Sequence, residues 1–298
     1  MIPEPVLQAA GEVLGGAVSG VRPVGGGCIN HAVVLTTDRA AQGFLKWNPR
    51  APRGFFQAER RGLGVISATL RSSGITGLRV PLVLASGEDP TPWLLLEYVP
   101  QGRETQGYWQ ALGTGLARLH QARPPELGKE PNFLGSLVQE NPEMESWPDF
   151  WLSARLVPRL EDAYRSGHFQ GGAREDWDRL LERLGEALPD LSIPERSLLH
   201  GDLWSGNVYP DRNGRPVLVD PAVYTGDPLV DLAMARLFGG FGSDFYAAYE
   251  ATWGTDAPLS HLLVDAYQLY PLLAHVNLFG SGYEAGTMER VRRLLSRL

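Results

Sequence analysis

The sequence predicts an α+β protein with two lobes: an antiparallel five-stranded sheet with a helix in residues 1–98, and a mainly helical lobe in residues 99–298. Three observations lead to this prediction. Short apolar runs separated by glycine-rich or polar turns fill the first third of the chain, as strands do. Apolar residues recur at helical spacing from Tyr108 onward. Finally, 298 residues are enough for about two compact units.

The composition is that of a globular protein outside the nucleic-acid-binding and membrane-spanning classes. Hydrophobic residues make up 43% and charged residues 20% of the chain, whose net charge is −7. The chain has no basic run and no apolar run as long as a membrane span, so we expect no nucleic acid and no membrane as partner. The N-terminus lacks the pattern of a signal peptide, and a single cysteine allows no internal disulfide. Both features predict a cytoplasmic protein.

The first lobe is predicted to contain a helix, three strands, a second helix and two further strands. Their ranges are residues 3–14, 18–24, 29–36, 44–47, 55–70, 80–85 and 93–98. The first two strands are joined by Gly25, Gly26, Gly27 and Cys28. Glycines at such a turn let backbone N–H groups approach a phosphate, but a flexible hairpin turn without a ligand uses the same residues.

The third strand carries a lysine in a chain that otherwise uses arginine. Of the 27 basic residues only Lys46 and Lys129 are lysines, which indicates that Lys46 occupies a site where the fork of an arginine does not fit. Glu59 follows thirteen residues later, in the predicted helix. A strand lysine that binds ATP phosphates and pairs with a helix glutamate is typical of kinases. The alternative is that Glu59 is a surface charge paired with nearby arginines or with solvent.

The junction between the lobes is expected just after the fifth strand, where backbone groups of Glu97 and Val99 would contact an adenine ring. Beyond it, residues 124–141 are predicted to be irregular, since they are polar and rich in Pro, Gly and Asn. His120 is expected to pack at a helix end, and Asp227 to begin a helix. The other helices of this lobe are predicted at residues 109–121, 151–164, 175–188, 245–252, 259–272 and 288–298.

The chemistry is predicted from one stretch, His-Gly-Asp-Leu-Trp-Ser-Gly-Asn at residues 200–207, followed by a short apolar strand that ends at Asp220. It matches the H-x-D-x-x-x-x-N loop of kinases, with glycine in place of arginine. In that chemistry Asp202 accepts the proton of the attacking hydroxyl, while oxygens of Asn207 and Asp220 hold Mg²⁺ against the ATP phosphates. A solvated turn would also favour Asp and Asn, so the other motifs must decide between the two interpretations.

Protein kinase activity is not expected, because the platform for a peptide substrate is missing from the sequence. Only ten residues separate Asp220 from Asp231, and neither a D-F-G nor an A-P-E motif is present. The acceptor is therefore expected to be a small molecule, or a small adduct on a protein.

These segments together resemble the fructosamine kinase (ketosamine kinase) family, within the aminoglycoside and choline kinase-like superfamily of the protein-kinase-like fold. The resemblance covers the whole chain. The segments that carry it are GGGCIN (25–30), FLK (44–46), LLEY (95–98), NFLG (132–135), RLVP (155–158), HGDLWSGN (200–207), DPAVY (220–224) and DLAM (231–234). The string at 200–207 and the Asp-Pro-Ala run are specific to that branch.

The resemblance implies an enzyme that uses ATP and Mg²⁺ to phosphorylate a sugar hydroxyl of a ketosamine, a fructosamine or ribulosamine, either free or on a protein lysine. The alternatives are a kinase for an aminoglycoside, an amino alcohol or another metabolite, and a nucleotide-binding module without catalysis, which has no need of Asp202. Asn132, Phe133 and Trp204 are candidate acceptor-site residues, although both aromatics would serve equally as core residues. Segments 127–131 and 227–229 depart from the family pattern, and we expect both near the acceptor site.

Cys28 is the only cysteine of the chain and lies at the end of the glycine-rich turn. One interpretation is a small strand residue without a redox function. The other is an exposed thiol that links two chains or blocks ATP when it is oxidised. The sequence therefore allows either a monomer or a redox-linked dimer through Cys28.

Overall fold

The computed structural model describes residues 2–25, 30–123, 127–191, 195–254 and 260–298. Its first part is built around an antiparallel five-stranded sheet with the strand order β1-β2-β3-β5-β4. The strands are β1 Val18–Pro23, β2 His31–Thr37, β3 Gln42–Trp47, β4 Val83–Gly87 and β5 Trp93–Glu97, and the helices of this part are α1 Glu4–Leu14 and α2 Phe55–Ser72. The predicted sheet is confirmed.

One helix covers each face of this sheet. Leu95 of β5 packs in a cluster with Val6 and Ala10 of α1, whereas its neighbours Leu94 and Leu96 belong to the main core, to which α2 contributes. Successive side chains of a strand point to opposite faces. A strand that lies between two helices therefore needs the uninterrupted apolar run that β5 has.

The chain beyond the sheet is mainly helical. Its helices are α3 Tyr108–Gln121, α4 Trp147–Phe150, α5 Val157–Arg165, α6 Gly172–Ala187, α7 Leu229–Leu237, α8 Ser243–Trp253, α9 His261–Phe279 and α10 Glu284–Leu295. A π-helical segment, Trp151–Leu156, joins α4 to α5 without a break. Helix α9 is buried along most of its length and packs against α5, α7 and α10. Of the helices in the described ranges, none is long and apolar enough to cross a membrane.

Three pairs of short antiparallel strands position the loops of this part. The pairs are β6 Asn132–Leu134 with β7 Leu137–Gln139, β8 Ser197–Leu199 with β11 Tyr224–Gly226, and β9 Val208–Pro210 with β10 Pro216–Leu218. Strand β8 leads into the loop 200–207, and β10 leads into the segment 219–223. The pairing of β8 with β11 and of β9 with β10 therefore holds these two loops side by side.

The prediction of an irregular segment at residues 124–141 is wrong where β6 and β7 form a hairpin. Asn132, Leu134 and Gln139 of this hairpin are buried. Polar composition was taken to mean solvent exposure, but the two amides are satisfied by hydrogen bonds inside the protein. The helix expected to begin at residue 151 begins at Trp147, and the helix expected to end at residue 272 continues through Pro271 to Phe279. The lobe boundary at residues 98/99 stays a prediction.

Candidate active site

The loop 200–207 and the segment 219–223 are tied to each other by hydrogen bonds. The Ala222 amide donates to the His200 carbonyl at 2.8 Å, and the Val219 amide donates to the Asn207 carbonyl at 3.0 Å. The His200 ring accepts from the Asp202 amide at Nδ1 (3.3 Å), so Nε2 carries the proton and donates it to the Val219 carbonyl at 3.0 Å. Burial lowers the pKa of His200, which keeps the ring neutral and in this role near pH 7.

Gly201 permits the close approach of the two loops. Its φ is +80°, and a Cβ at this position would overlap the carbonyl oxygen of Ala222. Only glycine adopts this backbone conformation without strain and leaves the space free. The glycine that replaces the arginine of the kinase loop pattern is thus required by the backbone.

Asp231, near the start of α7, holds the loop 200–207 through hydrogen bonds to its backbone. Its carboxylate accepts hydrogen bonds from the amides of His200 (2.7 Å) and Gly201 (2.9 Å) and lies 3.2 Å from His120 Nε2. Burial alone would raise the pKa of Asp231, but His120, His200 and the Gly201 amide outweigh it, and the pKa lies below its usual value. His120 also contacts the Tyr249 hydroxyl at 2.8 Å. It is a packed helix-end histidine, as predicted.

No role was predicted for Asp231, although the sequence contains a signal. It is the only charged residue in the run Leu229 to Ala235 of an otherwise apolar helix. A carboxylate on a buried helix face is costly unless hydrogen-bond donors surround it. Such a residue therefore predicts a partner, and here the partner is the backbone of the loop 200–207.

Lys46, Glu59 and Asp220 meet although they come from a strand, a helix and a loop. Lys46 is 6% exposed. Its Nζ donates to Glu59 Oε1 at 2.8 Å and also contacts Asp220 Oδ1. Burial alone would lower the pKa of Lys46, but the carboxylates of Asp220 and Glu59 outweigh it and hold the pKa above its usual value. The lysine is therefore a fixed positive charge between two carboxylates.

Asp202 and Asn207 form a second pair in the loop 200–207. Asn207 Nδ2 donates to the backbone carbonyl of Asp202 at 2.8 Å and to its carboxylate oxygen Oδ2 at 3.0 Å. Burial raises the pKa of Asp202 to about 7, and the charge of Asp220 adds to the rise. The carboxyl group is thus held in one orientation and can take up or release a proton near neutral pH.

Oxygen atoms of Asn207 and Asp220 fit a hard divalent ion. Since Asn207 uses its amide nitrogen on Asp202, its Oδ1 is the end left for a ligand, and the Asp220 side chain is 45% exposed. Across the described part of the chain, there is no group of three or more His, Cys, Asp or Glu side chains that could hold a metal by itself. An ion at this pair would therefore complete its coordination with water and nucleotide phosphates, as Mg²⁺ does.

The junction after β5 is held by side chains from both sides. The Glu97 carboxylate accepts from Arg79 Nη2 at 2.6 and 2.7 Å and from the Leu82 amide at 3.2 Å. The Val99 carbonyl accepts from the Tyr209 hydroxyl of β9 at 3.2 Å. Adenine contacts of Glu97 and Val99 stay a prediction. Of the predicted phosphate-binding turn, Gly25 is the last residue described, and Gly26, Gly27 and Cys28 lie outside the described residues.

The three candidate acceptor residues do not lie together. Trp204 is 37% exposed and packs over Gly206, next to Asp202. Phe133 packs against Phe55 of α2, with ring centroids 5.0 Å apart, and Asn132 is 5% exposed. Asn132 borders a cavity of about 1360 Å³ that is lined in part by α2. The described lining of this cavity contains none of Lys46, Asp202, Asn207 or Asp220.

The two segments that depart from the family pattern make no hydrogen bond to Asp202 among the described residues. Residues 127–130 line the cavity that Asn132 borders. Asp227 is 3% exposed and accepts from the Tyr267 hydroxyl at 2.6 Å and from the Leu229 amide at 2.9 Å. Helix α7 begins at Leu229 with Pro228 at its N-cap, so the prediction that Asp227 begins this helix is off by one residue. Both partners of the Asp227 carboxylate belong to the helical part of the chain.

A group of exposed aromatic side chains beside the loop 200–207 was not predicted. Phe238 and Phe279 are 39% and 53% exposed, and both pack against the ring of His275. Gly240, two residues beyond Phe238, comes so close to Ser205 of the loop 200–207 that a Cβ on Gly240 would lie 2.6 Å from the Ser205 side chain. Sequence patterns could not reveal this group, because Phe238 follows α7 whereas His275 and Phe279 lie together on α9.

The fructosamine kinase family model matches residues 6–297. A protein assigned as a ketoamine kinase in Enterococcus faecium is 39% identical over 265 residues, covering 88% of this chain and 91% of that protein. The ketosamine-3-kinase of Mus musculus is 31% identical over 298 residues, covering 91% and 93%.

A solved structure agrees with these matches. It is that of a protein assigned as a fructosamine-3-kinase in Thermobifida fusca, which superposes with a TM-score of 0.83 at 28% identity and covers 98% of both chains. A superposition over nearly the whole length confirms the predicted two-lobed α+β fold.

Proposed function

The chain belongs to the fructosamine kinase family, and we propose that it transfers the terminal phosphoryl group of ATP, bound with Mg²⁺, to a sugar hydroxyl of a ketosamine. ATP-dependent phosphotransfer with a divalent ion is the chemistry of the family; the choice of ion and of acceptor is what we propose. The main support is that two groups of residues adjoin: Lys46 contacts Glu59 and Asp220, and Asn207 bonds to Asp202. The Val219 amide, next to Asp220, joins the two groups through its bond to the Asn207 carbonyl. The contacting residues come from segments up to 174 residues apart.

Asp202 is the proposed catalytic base, which accepts the proton of the attacking hydroxyl. A base is most efficient when its pKa lies near the operating pH, and burial raises the pKa of Asp202 to about 7. The hydrogen bond from Asn207 Nδ2 holds the carboxylate in one rotamer. The carboxylate is therefore ready both in protonation and in orientation.

Asn207 Oδ1 and the Asp220 carboxylate would hold Mg²⁺, and Lys46 would bind phosphate oxygens in the orientation that Glu59 gives it. The ion, when bound, supplies positive charge next to the phosphoryl group that is transferred. Because this reaction needs mainly positioning and charge, a fixed set of charged groups is the machinery it requires. A nucleotide-binding module without catalysis would have no use for Asp202.

Trp204 is the proposed apolar surface for the sugar ring of the acceptor. Its partly exposed ring lies two residues from the base, and the exposed aromatics around Phe238 continue beside the same loop. Aromatic faces commonly pack against the apolar face of a ring while hydroxyl groups point to polar partners. We propose free glycated amines and glycated protein lysines as acceptors.

The test is ATP consumption with a panel of acceptors. We expect a fructosyl- or ribulosyl-amine, free or on a protein lysine, to stimulate turnover far more than free sugar or free amine, because both halves are needed to place the hydroxyl at Asp202. Turnover with an aminoglycoside or choline and none with any ketosamine would reassign the acceptor. In Asp202→Asn, nucleotide binding should stay while turnover falls by about 100-fold or more; unchanged turnover would remove Asp202 from its role.

A further inference from the structure

We propose that Asn132 is a positioning residue for the Asp220 segment, acting through a relay of amides that begins at Tyr270 on α9, and is not an acceptor ligand. The inference rests on the proposed roles of Asp220 and Glu59 in binding Mg²⁺·ATP. It concerns the hairpin β6–β7, whose Asn132 and Gln139 stand opposite each other in the strand pair.

Three hydrogen bonds form the relay. The Tyr270 hydroxyl donates to Gln139 Oε1 at 2.7 Å, Gln139 Nε2 donates to Asn132 Oδ1 at 2.6 Å, and Asn132 Nδ2 donates to the Val223 carbonyl at 2.6 Å. A carbonyl only accepts, so Val223 sets the orientation of the Asn132 amide and, through it, that of Gln139. The relay therefore has a single arrangement. Both ends of the Asn132 amide are used in it.

The relay ends on a segment whose backbone needs support. Asp220 has a φ of +56°, a region that non-glycine residues occupy only when their surroundings hold them there. The Ala222 amide is bonded to the His200 carbonyl at 2.8 Å. With Val223 bonded to Asn132, the segment is held from both sides within three residues of the proposed metal ligand.

Helix α2 rests on the same segment. A Cβ at Gly62 would lie 3.1 Å from Pro221 Cγ and 3.2 Å from Val223 Cγ2, so the helix has no spare space there. Glu59, one turn earlier on α2, bonds to Lys46. Phe133 of the hairpin also packs against Phe55 of α2. A shift of the hairpin would therefore disturb both Asp220 and the Lys46–Glu59 pair.

A shift of the hairpin is not expected to change acceptor binding directly. Asn132 and Gln139 are 5% and 1% exposed, and the described lining of the cavity that Asn132 borders does not include Asp202. Loss of the relay should thus weaken Mg²⁺·nucleotide binding and leave the acceptor site unchanged. An acceptor ligand would show the opposite pattern.

The experiment measures Mg²⁺·ADP affinity, the KM for Mg²⁺·ATP, the KM for the acceptor and the melting temperature in Asn132→Ala, Gln139→Ala, the double variant and Tyr270→Phe. We expect Asn132→Ala to weaken both nucleotide constants about tenfold while the acceptor KM changes by less than about twofold. The double variant should be no weaker than the Asn132→Ala variant, because Gln139 acts on the Asp220 segment only through Asn132 and that link is already lost. Tyr270→Phe should act in the same direction, by about threefold.

Tyr164→Phe is the matched control, since that hydroxyl has no hydrogen-bond partner among the described residues; its constants should not change. A raised acceptor KM with normal Mg²⁺·ADP affinity would make Asn132 an acceptor ligand and overturn the inference. A lower melting temperature with unchanged constants would overturn it too, leaving a purely structural hairpin. Because Mg²⁺·ADP binding needs no acceptor, the inference is tested even if no ketosamine is a substrate and the proposed function fails.

Discussion

Lys46 shows why a buried lysine differs from an exposed one. It is enclosed between Glu59 and Asp220, whereas the side chain of Lys129 is 70% exposed and pairs with Glu143 at 2.7 Å. The guanidinium of arginine is larger and planar, and it does not fit where a compact ammonium group lies between two carboxylates. We expect Lys46→Arg to lower turnover by about tenfold or more, measured at saturating ATP.

Lys129→Arg is the control for this prediction, because it makes the same chemical change at the chain's other lysine. It should leave turnover and melting temperature unchanged. A Lys46→Arg enzyme as active as the Lys129→Arg enzyme would show that the site tolerates the fork, and that the scarcity of lysine in this chain says nothing about Lys46.

The ionised form of Asp202 should lower the free energy of unfolding relative to the protonated form. Burial raises its pKa to about 7, while the unfolded chain has a carboxyl pKa of about 3.9. Between these values the folded state binds the extra proton, so the free energy of unfolding falls as pH rises through this window. We expect Asp202→Asn to be more stable than the wild type at about pH 8, with the difference shrinking toward about pH 4.

Denaturant unfolding of metal-free protein across this pH range is the measurement. Asp244→Asn is the control, since this side chain lies at the exposed start of α8. If the difference between Asp202→Asn and wild type does not change with pH, Asp202 does not carry the raised pKa.

At the residue scale, the sequence was informative where chemistry requires a particular side chain. Lys46 was identified from the scarcity of lysine in the chain, and Glu59, Asp202, Asn207 and Asp220 from their spacing in kinase-like motifs. The structure brings these residues together. Asn132 was predicted to bind the acceptor because it belongs to a family motif. Membership in a motif does not distinguish a residue that contacts the substrate from one that supports the site. The hydrogen-bond partners of Asn132 are the side chain of Gln139 in the same hairpin and the carbonyl of Val223, which is 91 residues away, so only the structure identifies the link to the Asp220 segment.

Among the elements, the short helix α7 depends on one carboxylate for its link to the catalytic loop. Asp231 accepts from two loop amides, and an asparagine has a single acceptor oxygen, so Asp231→Asn would leave one amide without its partner. We expect a loss of about 2–4 kcal/mol in the free energy of unfolding and lower turnover as the loop loosens. Denaturant unfolding at pH 7 and steady-state kinetics measure both.

The pH dependence of this effect has the opposite sign to that of Asp202. The pKa of Asp231 lies below its usual value, so its contribution to stability is present above the unfolded pKa and is lost as pH falls through the folded value. The difference between wild type and Asp231→Asn should therefore be largest at neutral pH and shrink below about pH 4. If the difference in the free energy of unfolding between wild type and Asp231→Asn instead increases on acidification, Asp231 does not stabilise the loop as an ionised carboxylate.

Elements with a clear apolar period could be predicted, and those held by polar contacts could not. The sheet strands and α2 follow from alternating or continuous apolar runs. The hairpin β6–β7 is three residues per strand, and its buried positions include Asn132 and Gln139. No local pattern distinguishes such a hairpin from a polar loop, because what stabilises it is Tyr270 and Val223, about a hundred residues away.

In the whole molecule, the site is assembled from both parts of the chain. Lys46 and Glu59 come from the sheet and α2, while Asp202, Asn207 and Asp220 follow β8 and β10. The strand patterns and the helical periodicity predicted the two parts, but not how α2 is seated against the segment after Asp220. That contact depends on Gly62, whose missing side chain leaves room for Pro221. A glycine inside a helix does not by itself predict which segment packs against it.

Because a nucleotide would bind to groups from both parts, it should stabilise the molecule as a whole. A ligand that binds only the folded state adds about 2.7 kcal/mol when present at about 100 times its dissociation constant, which corresponds to a rise of about 5 °C or more in melting temperature. We expect Mg²⁺·ADP to produce this rise in the wild type and in Asp202→Asn, which keeps both proposed metal ligands. In Asp220→Ala and Asn207→Ala the rise should be much smaller at the same concentrations, and chelation of Mg²⁺ in the wild type should reproduce that loss. Equal rises in melting temperature in all four proteins would show that Asn207 and Asp220 are not the metal ligands, whichever acceptor the enzyme uses.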